Sequence, residues 1–168
     1  MPEEYEGPEG PDNLEEPPAF FPYEGSGRRA EAAASELVEV QVEGVFRADS
    51  VNDVTRFVLV SDGVRKLPII IGPYEAQAIQ LMLESRQPDR PMTHDLLKNI
   101  LERLEVTLDR VVIDDFWNTI YYAKLYLKRT NDEELEMDAR PSDAIALAVR
   151  FEVPIFVADA ILEAAMEE

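Results

Sequence analysis

The sequence predicts a mixed α/β domain of the α+β type. A mainly antiparallel sheet is built from a β-β-β-α unit used twice, with helices packed against it. Three observations carry this. Residues 135–157 hold a strand, a helix start, an almost wholly apolar helix and a second short strand in one stretch. A shift of about 68 positions lays the same pattern over an earlier stretch, the kind of self-similarity that marks a repeated structural unit. Gly72-Pro73-Tyr74-Glu75-Ala76-Gln77-Ala78-Ile79 then covers Arg140-Pro141-Ser142-Asp143-Ala144-Ile145-Ala146-Leu147, so both copies read x-Pro-x-acid-Ala-x-Ala-aliphatic. The register also carries the hairpin at 56–71 onto 124–139 without a gap, and Val38, Val40 and Val42 onto Val106, Leu108 and Arg110.

Taken in order, residues 1–36 read as a disordered arm. They hold half the prolines and ten acids against Arg28 and Arg29, too little apolar surface to offset the entropy of ordering. Phe20, Phe21 and Tyr23 form an aromatic island in it that would dock on a partner or on the domain. The domain, 37–168, opens with Val38, Val40 and Val42 alternating with Glu39, Gln41 and Glu43, the period of a half-buried strand. Segments 55–60 and 66–71 flank Ser61-Asp62-Gly63, a turn with glycine available for positive φ. The unbroken apolar run 67–71 reads as a central strand. A helix follows from Pro73 to about Ser85, because proline suits a first helical turn.

Thr93 is placed to cap a second helix, with Asp95 favourable in its first turn. Leu96, Leu97, Ile100, Leu101 and Leu104 have helical spacing and are expected to form its buried face. Strands at 106–115 and 120–129 are joined across Phe116-Trp117-Asn118-Thr119. A turn at 130–132 leads into the strand Leu135, Met137 and their polar neighbours. Pro141 opens the apolar helix, Pro154 follows its end, 155–157 is a short buried strand, and Asp159 caps a terminal helix reaching Met166.

The composition narrows the function. Cysteine is absent, which excludes disulfides and thiolate metal sites and fits a cytoplasmic location. No apolar run reaches the roughly 20 residues that a bilayer crossing needs, so no membrane role is expected, and the acidic start does not resemble a signal peptide. The net charge is −19. Passive binding to nucleic acid relies on Lys and Arg neutralising phosphates. An acidic chain acting on nucleic acid therefore needs a divalent cation to bridge carboxylates and phosphates. Halophilic adaptation would equally produce such a surface.

The segments 67–72 (LPIIIG) with Glu75-Ala76, then 90–96 (RPMTHDL), Tyr121-Tyr122-Ala123, and 138–147 (DARPSDAIAL) together resemble the bifunctional nuclease family. They stand in that family's order and span about 37–165. The resemblance implies a duplicated α/β domain, usually oligomeric, to which cleavage of both DNA and RNA is attributed. A homodimer acting on nucleic acid is the corresponding expectation. Some members carry a coiled-coil module of nucleotide-excision type after the domain; this sequence is expected to lack it.

Within those segments the candidate metal ligands are Asp138, Asp143 and Glu75. Carboxylates at strand ends beside helix starts are what a Mg²⁺ or Mn²⁺ phosphodiesterase needs, since hard oxygen ligands hold the cation and the cation activates water. The candidate catalytic residues are His94, Asp95, Arg140 and Ser142. His94 is the sole histidine, so any imidazole proton transfer is its own, with Asp95 beside it to orient the ring or bind metal. Arg140 offers bidentate hydrogen bonds to a phosphate. Ser142 lacks the flanking glycines of a nucleophile elbow and reads as a helix cap.

Bland alternatives stand beside each role. Acids in first turns satisfy helix dipoles, Arg140 can pair with Asp138 or Asp143, and His94 can be a surface or capping residue. Asp114-Asp115 reads as turn chemistry. Tyr121, Tyr122 and Tyr126 serve either as strand packing or as a stacking surface for bases. Two functions follow: a metal-dependent nuclease of low sequence preference, or a non-catalytic oligomeric interaction or regulatory domain with an acidic surface.

Overall fold

The computed structural model describes residues 35–49 and 53–166. The arm expected at 1–36, with its aromatic island, falls almost entirely outside them. The described chain runs β1 (Leu37–Asp49), β2 (Val54–Ser61), β3 (Lys66–Ile71), α1 (Pro73–Leu83), α2 (Thr93–Arg103), β4 (Val106–Trp117), β5 (Ile120–Arg129), β6 (Glu134–Ala139), α3 (Pro141–Phe151), β7 (Ile155–Ala158) and α4 (Asp159–Ala164). The β-β-β-α unit thus occurs twice, with α2 between the copies and β7 and α4 after them.

All seven strands form one sheet in the order β3-β2-β1-β7-β4-β5-β6. Each unit is an antiparallel meander. Four-residue β7 joins them, antiparallel to β1 and parallel to β4. The first strand of each unit is irregular, at Val42/Gly44 in β1 and at Leu108/Arg110 and Ile113/Asp115 in β4. A bulge bends its strand and adds local twist.

Alternation decides which face is covered. Along β3 only Leu67, Ile69 and Ile71 are buried, while Pro68 and Ile70 look outward. The expectation that this strand is central is therefore overturned: β3 is an edge strand, and Ile70 is 75% exposed. Pro68 is compatible with this place because an edge strand can spare an amide donor. The sheet's covered face takes α1 over β1 and β2, and α3 over β4 and β5, and the two helices touch. Their repeated alanines (Ala76 and Ala78, Ala144 and Ala146) are buried and bring both helix axes close to the sheet. Ile79 and Leu147, equivalent in the two units, fill the layer beneath.

The second helix corrects two expectations. Its cap is Met92 rather than Thr93, and the Asp95 carboxylate accepts the Met92 amide at 2.9 Å. Its leucine stripe is not a buried face. Leu96, Leu97, Ile100 and Leu104 are exposed, and Leu101 alone of the five packs on the core. The cause is that α1 and α3 already cover the sheet, which leaves α2 to lean on α3 and β4 from outside. A smaller correction concerns Asp114-Asp115, which lie inside β4. The turn is Asn118-Thr119, both at positive φ, and Asp114 instead bonds Lys124 at 3.0 Å.

The turn between β2 and β3 shows how a carboxylate sets local geometry. Asp62 accepts the amides of Arg65 and Val64 at 2.7 and 2.9 Å and the Arg65 side chain at 2.9 Å, while Gly63 takes φ of 94°. Arg65 reaches on to Asp159 at 2.8 Å, tying this turn to α4. The two amides and then the guanidinium lower the Asp62 carboxyl from 3.8 to about 2. A carboxyl depressed in the folded state contributes stability above its unfolded value, and the contribution vanishes as pH falls through the folded one. Urea denaturation from neutral pH down to pH about 2 should show Asp62→Asn losing less stability than the parent below the ordinary carboxylate range. Parallel curves would refute this.

Candidate active site

The starts of three helices meet, and proline fixes two of them. The residue before a proline is driven to extended backbone. Arg140 accordingly sits at φ −68° and ψ 143° before Pro141, and Gly72 at φ −74° and ψ 167° before Pro73. Three positions on in each helix stand Asp143 and Glu75. Arg140 lies between these acids. Its Nε donates to Asp143 Oδ2 at 2.7 Å and its Nη2 to Asp143 Oδ1 at 3.2 Å, and its Nη1 lies 3.4 Å from Glu75 Oε1. The bland ion-pair alternative is therefore present, and Arg140 still has 67% of its side chain exposed.

Gly72 occupies the position equivalent to Arg140 in the first unit. Its backbone angles are open to any residue, and a Cβ there would run into the Glu75 carboxylate, the movable end of that side chain. The Glu75 carboxylate folds back over the glycine.

From α2, His94 reaches the same acid, with Nε2 2.9 Å from Asp143 Oδ1 and 12% of its side chain exposed. Burial raises the Asp143 carboxyl, but the hydrogen bonds from Arg140 and His94 outweigh burial and leave it below the usual range. An ionised Asp143 can only accept, so Nε2 carries a proton, and in a neutral ring Nδ1 then holds the lone pair. No described residue hydrogen-bonds Nδ1.

Beneath this network is a residue that the sequence reading missed. Arg150, 2% exposed, donates from Nε to Asp95 Oδ1 at 2.6 Å and from Nη1 to the carbonyls of Ala78 and Ala146 at 3.0 and 2.9 Å. Lys98 Nζ donates back to the Arg150 carbonyl at 2.7 Å. One guanidinium thus joins α1, α2 and α3. Burial raises the Asp95 carboxyl, and Arg150 and the Met92 amide bring it below its ordinary value. The available signal was an arginine closing an otherwise apolar helix, since an unpartnered charge is almost never fully buried.

The candidates therefore divide. Glu75, His94, Arg140 and Asp143 converge, and Asp95 supports them through Arg150. Asp138 does not join them: it is exposed on β6, in register with Lys124. Ser142 is buried at the second position of α3 and makes no side-chain hydrogen bond with a described residue. Tyr126 lies under Arg110, 3.9 Å from its ring centre, and Tyr121 against Phe116.

The expected divalent cation does not fit the residues as arranged. Among the described residues no group of three or more His, Asp or Glu side chains could hold a metal ion. Glu75 and Asp143 already share a guanidinium, and a cation between them would lie against that positive charge.

Comparison with known proteins bears on the same segments. Residues 57–168 match the family model of the bifunctional nuclease domain. The chain belongs to the bifunctional nuclease domain family. An uncharacterised protein of Mycobacterium tuberculosis is 38% identical over 124 residues, covering 74% of this chain and 73% of that one. Bifunctional nuclease 1 of Oryza sativa subsp. indica is 36% identical over 93 residues, and bifunctional nuclease 2 of Arabidopsis thaliana 31% over 93. Each of these two matches takes in 54% of this chain but 28% of the plant protein. The family's matched region contains the whole His94–Asp143–Arg140–Glu75 network.

Removing one partner of a buried ion pair costs more than the pair contributes, because a charge is left stranded. Arg150→Met should lower unfolding free energy by about 3 kcal/mol in urea, the low end for such pairs because Asp95 is partly exposed. Arg150→Met with Asp95→Leu should recover part of the loss. A single variant as stable as the parent would contradict the assignment of Arg150 as the tie among the helices.

Proposed function

We propose that this chain hydrolyses phosphodiester bonds of DNA and RNA with little sequence preference, with His94 and Asp143 handling the proton and Arg140 the phosphate. The observation that carries the reading is the meeting of a lone histidine, an ionised acid and an exposed arginine at three helix starts, all inside the matched family domain. The names of the plant relatives support the same chemistry.

Asp143 orients the ring by accepting a hydrogen bond from Nε2–H, which leaves Nδ1 of the neutral ring as the accepting nitrogen. Water gives its proton to Nδ1 as its oxygen bonds to phosphorus, the ester P–O bond breaks, and the departing oxygen takes a proton from solvent. The imidazolium then returns its proton to water. Arg140 can turn its fork from the acids to the phosphoryl oxygens, where two parallel hydrogen bonds match their geometry. The net charge of −19 works against the approach of a polyanion. Mg²⁺ or Mn²⁺ held largely by the phosphates themselves would reduce that repulsion without a cage of protein carboxylates.

A second reading, an interaction domain without catalysis, draws on one specific feature, the exposed leucine stripe of α2. Incubation of single- and double-stranded DNA and RNA with Mg²⁺, Mn²⁺ or chelator separates the two. Under the nuclease reading the parent cleaves, and His94→Ala and Asp143→Asn each slow cleavage by about 10²- to 10⁴-fold, the usual contribution of positioned acid–base groups. Intact substrate with the parent protein, or unimpaired cleavage by both variants, would leave the interaction reading.

A further inference from the structure

Helix α1 has a second flank, facing away from α3. There it borders a groove whose other wall is the outer part of the β1–β2 hairpin; its lining is part apolar and includes Arg47, Arg56, Gln77, Gln80, Glu84 and Arg86. Arg47 and Arg56 are direct cross-strand partners, so they leave the same face of the sheet. Like charges placed opposite each other weaken a strand pair, and here they occur in a chain with 35 acids and 16 bases. Arg56 makes no hydrogen bond or ion pair with a described residue. Arg47 bonds Asp49 at 2.6 Å and Arg86 lies 3.4 Å from Glu84, and both arginines are more than half exposed. Exposed pairs of that kind hold weakly and exchange readily for another anion. Glu84, the acid of the groove, is also taken up by Gln80 at 2.7 Å.

We infer that this groove is a docking track for a single nucleic-acid strand, with Arg47, Arg56 and Arg86 on successive phosphates and Gln77 and Gln80 facing sugar or base edges. The inference rests on the nuclease reading for the identity of the polyanion and adds to it the place where the strand lies. Pro73 also lines the groove, two residues before Glu75. A strand in the groove therefore runs along the far side of the helix that carries Glu75, a helix width from Arg140, roughly 10 Å. In a protein of this net charge, overall attraction cannot supply the binding, so the local arginines must.

The test is fluorescence anisotropy of a labelled single-stranded DNA of mixed sequence with the full chain, in chelator, over a salt series. The same proteins are assayed for cleavage with Mg²⁺ and Mn²⁺. The variants are Arg47→Ala with Arg56→Ala, Arg86→Ala alone, and Arg103→Ala as an exposed arginine on α2 outside the groove. The double variant should bind at least about tenfold more weakly, with a salt dependence shallower by about 1.4 log units per log unit, the single-strand value for two phosphate contacts. Arg86→Ala should weaken binding in the same direction, and Arg103→Ala should bind like the parent. Thermal melting confirms that each variant is folded. Absent binding by the parent, parent-like binding by the groove variants, or an equal loss in Arg103→Ala would each overturn the inference. Cleavage that persists while the groove variants bind and cut like the parent removes the track and leaves the nuclease reading standing. Arginine-dependent binding without cleavage does the reverse.

Discussion

Arg150 is the constraint around which the helical layer is arranged. Its guanidinium sits where three helices cross and is spoken for on several sides: a carboxylate from α2, a carbonyl from α1 and a carbonyl of its own helix. A buried ion pair is weak support for stability, because desolvation offsets most of the attraction. What it fixes well is position, since a stranded charge penalises every other arrangement. Asp95 is held in this way, and the neighbouring His94 is thereby presented to Asp143. The geometry of the His94–Asp143 pair thus depends on a cation with almost no exposure beneath it.

The network above that anchor sets two carboxylates against one guanidinium. Two acids and one arginine share their hydrogen bonds, and the histidine completes the coordination of Asp143. Such a set differs from a cage for a hard cation, in which carboxylates face one another across an empty centre. Here the centre is filled by a side chain that is two-thirds exposed and can swing. An arginine of this kind presents a directional fork to a phosphate, where a resident ion would present a point charge.

Much of the fold was legible because the sequence repeats its own grammar. Proline opening α1 and α3, alanines beneath them and alternation along the strands each have a local cause, and the ungapped register between copies made them reinforce one another. The failures were of context. Leu67 to Ile71 is apolar throughout, but whether a strand is central or at an edge depends on its neighbours, and Pro68 was the clue to the edge. The leucines of α2 have the spacing of a buried face, yet burial needs a partner surface, and the repeat helices had already taken it. For the site, Glu75, Arg140, Asp143 and His94 could be named from motif segments. Asp138 could not be separated from them in one dimension, because only the strand register shows that it stands beside Lys124, on the sheet face opposite buried Ala123 and Leu125. Arg150 escaped because its partners lie 55 and 72 positions away.

The position shared by Gly72 and Arg140 sets the two units apart. Two units with glycine there would leave Glu75 and Asp143 without the guanidinium that lies between them. A symmetric pair of identical units could not offer one fork to two carboxylates; a single chain can, because each copy carries its own residue.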